Sequence, residues 1–426
     1  MNNKKIFIIK RGNQLTGEIK ASGAKNAALP IMAANILATS PVIIRRVPNI
    51  SDVRIMARIL RALGAKVTFR KGIMKIDSSN MSSVRAPYKL VSKIHASFDI
   101  TGPLLARFKY AEVPLPGGCN LGTRPVNFHI DGFKALGADV KFEHGYVIVS
   151  ARKLKGANIF LPKPSVGATK NIMMAACLAS GTTVIENAAR EPEVADLANF
   201  LIQLGAHIKG HGTSKLEIEG VKSLDGGLDY TIISDRIEAG TYLLAGASTQ
   251  GEITVNSINP EFLEAFLFKL KNAGQKIDMG EDWISVRGKR PLKAVDISTA
   301  PFPGFPTDLH PPIASFLCFA DGTSVIEETI FDGRFIYLDE LRRLGADVKI
   351  KNHSVLIKGV KKLSGAPVVA PDIRAGGALI IAGLSAEGET VISGLDKIDR
   401  GYEDIENKLR LLGADIRREN RDACRD

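Results

Sequence analysis

Leu63-Gly64-Ala65-Lys66-Val67 returns along the chain as Leu136-Gly137-Ala138-Asp139-Val140, Leu204-Gly205-Ala206-His207-Ile208, Leu344-Gly345-Ala346-Asp347-Val348 and Leu412-Gly413-Ala414-Asp415-Ile416. A worn copy stands at Ala273-Gly274-Gln275-Lys276-Ile277. The six glycines are 73, 68, 69, 71 and 68 residues apart. Each phrase follows an amphipathic stretch and precedes alternating residues, which predicts a helix closed by a glycine cap and leading into a strand. A second phrase keeps step with the first: Ala38-Thr39-Ser40-Pro41-Val42-Ile43-Ile44 has partners at Ala179, Gln250, Ala320 and Ala386, and a divergent one at Tyr110-Ala111-Glu112-Val113-Pro114-Leu115. It follows an Ala-rich, almost wholly apolar run each time, which predicts a helix buried on every side. Each unit therefore reads as helix, turn, strand, helix, glycine turn, strand. Three units precede residue 230 and three follow it, so two similar domains are expected in place of an open solenoid.

Length and composition agree with that division. A chain of 426 residues exceeds one ordinary core. With 45% hydrophobic and 24% charged residues it is neither disordered nor fibrous. The apolar run near the N-terminus spans four residues, too short for a signal peptide, and no segment reaches the roughly 18 apolar residues of a membrane helix. A cytoplasmic protein without membrane contact is expected. Cys119, Cys177, Cys318 and Cys424 are far apart, and the pair His207 and His211 has no Cys or carboxylate cluster beside it. Neither a zinc site, nor a disulfide framework, nor any metal cofactor is expected. The net charge of +12 comes from scattered Lys and Arg with few aromatics, so nucleic acid is not an expected partner. No GxGxxG is present, and the glycines at 246 and 251 are followed by Glu252 where a P-loop has Lys, which disfavours a dehydrogenase or ATPase.

The starts of the six apolar helices carry the informative polar residues: Ser22 to Asn26, Lys93 to Ser97, Ser165 to Thr169, Ser234 to Glu238, Pro306 to His310 and Pro371 to Ala375. Ser22, Ser165, Ser234 and Thr307 read as N-caps, which need no function to explain them. Lys25 and Arg374 do not, because a cation in a helix's first turn opposes the macrodipole. A bound anion would reverse that penalty, so these positions favour an anion site. One copy also carries an excursion without counterpart, Leu115-Pro116-Gly117-Gly118-Cys119-Asn120-Leu121-Gly122-Thr123-Arg124-Pro125. Its glycines and Arg124 favour a reachable, acidic thiol at Cys119. A lone cysteine is as often inert, and the residues alone leave both open.

Ser22-Gly23-Ala24-Lys25-Asn26-Ala27-Ala28-Leu29-Pro30, Leu115-Pro116-Gly117-Gly118-Cys119, Ser165-Val166-Gly167-Ala168-Thr169, Ala188-Ala189-Arg190-Glu191-Pro192-Glu193 and Ile398-Asp399-Arg400-Gly401-Tyr402 resemble the signatures of the UDP-N-acetylglucosamine enolpyruvyl transferases. The resemblance runs from about residue 5 to residue 418. It implies two inside-out α/β domains of three βαβαββ repeats each, at 25–232 and at 1–24 plus 233–426, closing over substrate. It also implies transfer of the enolpyruvyl group of phosphoenolpyruvate to the 3-hydroxyl of UDP-N-acetylglucosamine, with no cofactor and as a monomer.

By the same resemblance Lys25, Arg124 and Arg400 bind phosphoenolpyruvate, Asp308 takes the hydroxyl proton and Cys119 is the general acid. Lys163, Pro164, Ser165, Val166 and Gly167 hold the uridine diphosphate. Arg124, Pro125, Val126, Asn127, Phe128 and Ile330 line the uridine and sugar pocket, and Asn26, His95, Arg334, Asp372 and Arg374 complete the substrate contacts. The chain departs from the family at His95, where Arg is usual, and at Leu309-His310-Pro311-Pro312, where a Gln-containing segment is usual. Lys397 and Asp332-Gly333-Arg334 depart too. The departures at His95 and Pro311-Pro312 motivate one alternative, a non-catalytic nucleotide-sugar-binding paralogue; the other alternative is enolpyruvyl transfer to another acceptor such as shikimate 3-phosphate.

Overall fold

The protein is described by a computed structural model covering residues 5–117 and 126–420. Each repeat builds one small sheet over two helices. In the third copy a strand Asn158–Phe160 leads to helix Val166–Ala176, strand Thr182–Glu186, helix Pro192–Gln203 and the strands His207–Lys209 and Lys215–Glu219. The first strand lies parallel to the second, and the closing hairpin is antiparallel. The unit is thus βαβαββ. The single strand expected after the glycine turn is two strands, because the alternating stretch folds back on itself. In the first two copies it does so through the two-residue turns Lys71-Gly72 and His144-Gly145, whose positive φ angles suit a tight hairpin.

The glycine turn itself is the same device six times over. All six glycines hold φ between +90° and +104°. In each, the following N–H returns to the carbonyl five residues back, as Ala65 to Leu60 at 3.0 Å and Ala206 to Leu201 at 2.9 Å. This is the Schellman closure, which satisfies the helix's last carbonyls and needs a left-handed residue. The apolar helices are buried as expected; Arg236–Ser248 buries all thirteen of its residues. Helices therefore lie inside and sheets outside, since a helix without a polar face has no surface to offer water.

The described chain divides into two units, residues 23–233 and residues 5–22 with 234–420. Each has its own continuous apolar core and three repeat sheets. In the second unit the strand Lys5–Lys10 lies between Glu389–Ser393 and Asp415–Asn420, antiparallel to both. It takes the place that the last hairpin strand holds in the other copies. Strand Thr16–Lys20 then pairs in parallel with Glu252–Asn256.

The helix starts differ from expectation at several copies. Ser165 caps its helix, accepting the Ala168 N–H at 3.3 Å. Ser22 does not: Ala24 stands at the N-cap of Lys25–Ala34 without a side-chain bond, and Ser22 donates its own N–H to Glu238 at 2.6 Å. Ser234 yields to Asp235, whose carboxylate accepts from the Ile237 and Glu238 N–H groups. Thr307 opens a three-residue 3-10 helix, Thr307–Leu309, and gives its hydroxyl proton to Glu328. The second copy also opens as a 3-10 helix, His95–Ile100, before helix Thr101–Phe108.

Candidate active site

In the unit of residues 23–233, Lys25 is the first residue of helix Lys25–Ala34 and Asn26, half-buried, the second. The Lys25 ammonium is not left to the helix dipole alone: its Nζ lies 3.5 Å from the buried Asp52 carboxylate. Val126 is buried ahead of helix Asn127–Ala135, where Asn127 is exposed and Phe128 half-buried. Cys119, Arg124 and Pro125 lie outside the described residues. Lys163 is exposed, while Pro164, Ser165, Val166 and Gly167 are half-buried around the start of helix Val166–Ala176. Unfilled backbone N–H groups at such a start, with a lysine beside them, suit an anionic group.

Beneath that start is a cluster the sequence reading missed. His129 is buried, and its Nδ1 meets the Asn171 amide at 3.0 Å. Burial first, then the charges of His95 and Lys170, push its imidazole down to about 3. The ring edge at Nε2 would stand 3.0 Å from a side-chain carbon at position 167, a tight contact that glycine avoids. His95 is half-buried at the start of its 3-10 helix. Asp99 and Lys170 form a buried ion pair at 3.2 Å, with burial raising the Asp99 carboxyl against the pull of Lys170. His95 was named from the sequence; no periodicity marks the others, because His129, Asn171, Asp99 and Lys170 lie on buried faces that read as core.

In the other unit the structure brings Asp308, Arg334 and Arg374 into direct contact. Asp308 Oδ1 accepts from Arg334 Nη2 at 2.8 Å, and Oδ2 accepts from Arg374 Nε at 3.1 Å and Nη2 at 2.9 Å. Both arginine side chains are nearly enclosed, and that of Asp308 keeps 23% exposure. Asp372 caps helix Ile373–Ser385 by accepting the N–H groups of Arg374 and Ala375, which sets the first-turn cation in place. Burial alone would lower the Arg374 guanidinium, but the charge of Asp308, followed by Tyr402 and Asp235, holds it above its ordinary value. Arg374 also stands 5.5 Å over the Tyr402 ring. The cation that opposed its helix dipole is therefore matched by a carboxylate from another repeat.

Arg400 is half-buried on the turn after helix Leu395–Ile398. Its neighbour Asp399 pairs with both Nη atoms of Arg418, at 2.9 and 2.7 Å, which fixes that turn to strand Asp415–Asn420. Ile330 is half-buried and spends its N–H on Glu328 at 2.9 Å. Among the described residues no group of three His, Cys, Asp or Glu could hold a metal ion. No described helix is long and apolar enough to cross a membrane.

Six repeats of this βαβαββ type in two inside-out units, with cations and carboxylates at their helix starts, define an enolpyruvyl transferase-like architecture. The sequence model of the EPSP synthase (3-phosphoshikimate 1-carboxyvinyltransferase) family matches residues 9–409, and the chain belongs to that family. Within it, the chain is 50% identical to UDP-N-acetylglucosamine 1-carboxyvinyltransferase 1 of Carboxydothermus hydrogenoformans, over 98% of this chain and 99% of that one. It is 51% identical to UDP-N-acetylglucosamine 1-carboxyvinyltransferase of Enterobacter cloacae, over 97% and 98%. Among solved structures, the enolpyruvyl transferase NikO from Streptomyces tendae matches with a TM-score of 0.89 at 26% identity, over 98% of this chain and all of that one. EPSP synthase from Acinetobacter baumannii matches in fold, with a TM-score of 0.75 at 18% identity over 98% and 100% of the two chains.

Proposed function

We propose that this protein transfers the enolpyruvyl group of phosphoenolpyruvate to the 3-hydroxyl of UDP-N-acetylglucosamine and releases inorganic phosphate. This is the first committed step of peptidoglycan precursor synthesis, which serves cell-wall growth, shape and division. The observation that carries the reading is the Asp308 carboxylate gripped by Arg334 and Arg374, in a chain half identical over its length to enzymes named for this reaction.

Asp308 takes the proton of the acceptor hydroxyl as its oxygen bonds to the central carbon of phosphoenolpyruvate. The Cys119 thiol protonates the methylene, giving a tetrahedral adduct that still bears phosphate. Loss of a proton from the new methyl group then expels phosphate and restores the double bond. Lys25, Arg124 and Arg400 bind the phosphate and carboxylate, the arginines with paired hydrogen bonds. Lys163 and the helix start at Ser165, Val166 and Gly167 hold the diphosphate. Val126, Asn127, Phe128 and Ile330 line the nucleotide-sugar pocket, with Asn26, His95 and Asp372 at its edge. Acid, base and fixed cations suffice for this chemistry, and the protein works in the cytoplasm as a monomer.

The test is phosphate release with phosphoenolpyruvate and UDP-N-acetylglucosamine, with shikimate 3-phosphate as the competing acceptor. Release with the first pair, abolished in Cys119→Ala, supports the reading. Turnover on shikimate 3-phosphate alone overturns it in favour of another acceptor. Stabilisation by the nucleotide sugar without phosphate release identifies a binding paralogue instead.

A further inference from the structure

The Asp308 turn rests on a second, fully buried layer. Glu328 follows strand Thr323–Glu327 and gathers five donors. Its Oε1 accepts from Thr299 Oγ1 at 3.0 Å and from the Ile330 and Phe331 N–H groups at 2.9 and 3.1 Å. Its Oε2 accepts from Thr307 Oγ1 and faces His310 Nδ1, both at 2.8 Å. His310 is wholly buried, and its other nitrogen lies 2.9 Å from the Tyr337 hydroxyl.

The protons can be assigned from what each group can do. An ionised carboxylate only accepts, so the imidazole proton sits on Nδ1 and the Tyr337 hydroxyl donates to Nε2. Burial keeps the His310 imidazole below its usual range despite Glu328. Burial works against the Glu328 charge as well, but the His310 hydrogen bond, the Ile330 N–H and Arg334 outweigh it and hold the carboxyl low. Thr307 has one proton, which goes to Glu328. Its lone pair therefore receives Arg334 Nη1 at 2.7 Å, and Arg334 Nη2 reaches Asp308 Oδ1 at 2.8 Å. Arg334 Nε has no hydrogen-bond partner among the described residues. Apart from the Phe331 ring 5.1 Å away, Thr307 and Asp308 are what set its plane.

We propose that Tyr337, His310, Glu328 and Thr307 form a positioning relay that sets, through Arg334, the orientation of the Asp308 carboxylate during enolpyruvyl transfer. Arg374 holds Oδ2 alone, and a carboxylate held at one oxygen can still turn. The 3-10 helix that carries Asp308 is a single turn of three residues, too short to fix the side chain by itself. His310, Glu328 and Tyr337 do not touch the reacting atoms; they act through Thr307 and Arg334. The segment Leu309-His310-Pro311-Pro312, a departure at sequence level, becomes the support of the base.

The proposal rests on Asp308 being the base, so Asp308→Asn is measured first in the phosphate-release assay. Turnover retained there overturns the base reading and the relay with it. Given its loss, Thr307→Val is expected to lower kcat about tenfold while the KM values of both substrates stay within about twofold. Thr307→Ser, which keeps the hydroxyl, restores kcat to within about threefold of the wild type. An unchanged kcat in folded Thr307→Val, equal losses in the Val and Ser variants, or a change confined to KM overturns the relay and leaves the base standing. If Thr307→Val does not fold, Tyr337→Phe decides: it removes one hydroxyl at the far end of the relay. A kcat lowered about threefold with an unshifted melting temperature supports the relay, and an unchanged kcat overturns it.

Discussion

Both oxygens of the Asp308 carboxylate are taken by guanidinium groups, so its removal has two separable effects. Asp308→Asn deletes the proton acceptor, and kcat for phosphate release is expected to fall by about 10²–10⁴. It also leaves two enclosed arginines with a weaker partner. Breaking a buried pair costs about 3–5 kcal/mol, and the partial exposure of Asp308 with the surviving amide oxygen reduces this to about 1–3 kcal/mol in urea unfolding. A variant as stable as the wild type would show that the clamp carries no net stabilisation. Cysteine reactivity is decided at the same scale. Burial pushes the Cys177 and Cys318 thiols up to about 12, so almost no thiolate forms at pH 8. Native alkylation with iodoacetamide should modify the proposed acid Cys119 and spare these two by peptide mass spectrometry. Labelling of Cys177 or Cys318 ahead of Cys119 would contradict both assignments.

The glycine turn is an element-scale device whose contribution can be isolated. Around Gly345 and Gly413 no atom lies within 4 Å of where a side-chain carbon would be, while φ is +90° and +96°. Gly345→Ala and Gly413→Ala therefore carry only the strain of a left-handed residue, about 1–2 kcal/mol each and equal in the two copies. Unequal losses in denaturant unfolding would mean that packing enters. Helix Pro192–Gln203 is tied to strand Asp229–Thr231 by a buried carboxyl. Asp196 accepts the Tyr230 hydroxyl at 2.6 Å and the Ile233 N–H at 3.3 Å. Burial raises Asp196 to about 6, above its ordinary 3.8, against the pull of those two bonds. A carboxyl raised on folding stabilises fully below its unfolded value, and the effect is lost as pH climbs through its folded one. The wild type should thus lose about 2 kcal/mol relative to Asp196→Asn between pH 4 and pH 7. A pH-independent difference would remove the basis for that shift.

Across the whole molecule, the chain's beginning completes a repeat at its end. Strand Lys5–Lys10 sits inside a sheet with a partner on each side. Deleting residues 1–11 therefore opens two strand edges and removes Phe7 and Ile9, both wholly buried, from the core. Loss of cooperative unfolding in residues 234–420 is expected, with residues 23–233 still protected in hydrogen exchange. Uniform protection in the truncated protein would refute this dependence. The repeat was legible in the sequence because Schellman glycines and wholly apolar helices have local causes that recur every 68 to 73 residues. The strand at residues 5–10 was not legible as the missing member of the sixth copy, since its pairing partners lie about 380 to 415 residues away.

The amino-acid sequence by itself determined the six-fold repeat, the burial of its helices and the helix starts that hold Lys25, Ser165, Asp308 and Arg374. Those follow from backbone conformation and hydrophobic period, which act within a few residues. Only the tertiary structure decided what each polar group faces. Ser22 and Ser234 resembled caps, but Ser22 gives its own N–H and hydroxyl to Glu238, and Asp235 takes the N–H groups that Ser234 was expected to cap. Arg374 looked like an uncompensated cation until Asp308, 66 residues away, came to lie 2.9 Å from it. Glu328 carried no local signal, and His310 was marked only by the departure of its segment from the family. A buried hydrogen bond is specified by which distant group must be satisfied when water is excluded, and that is settled only once the repeats have packed.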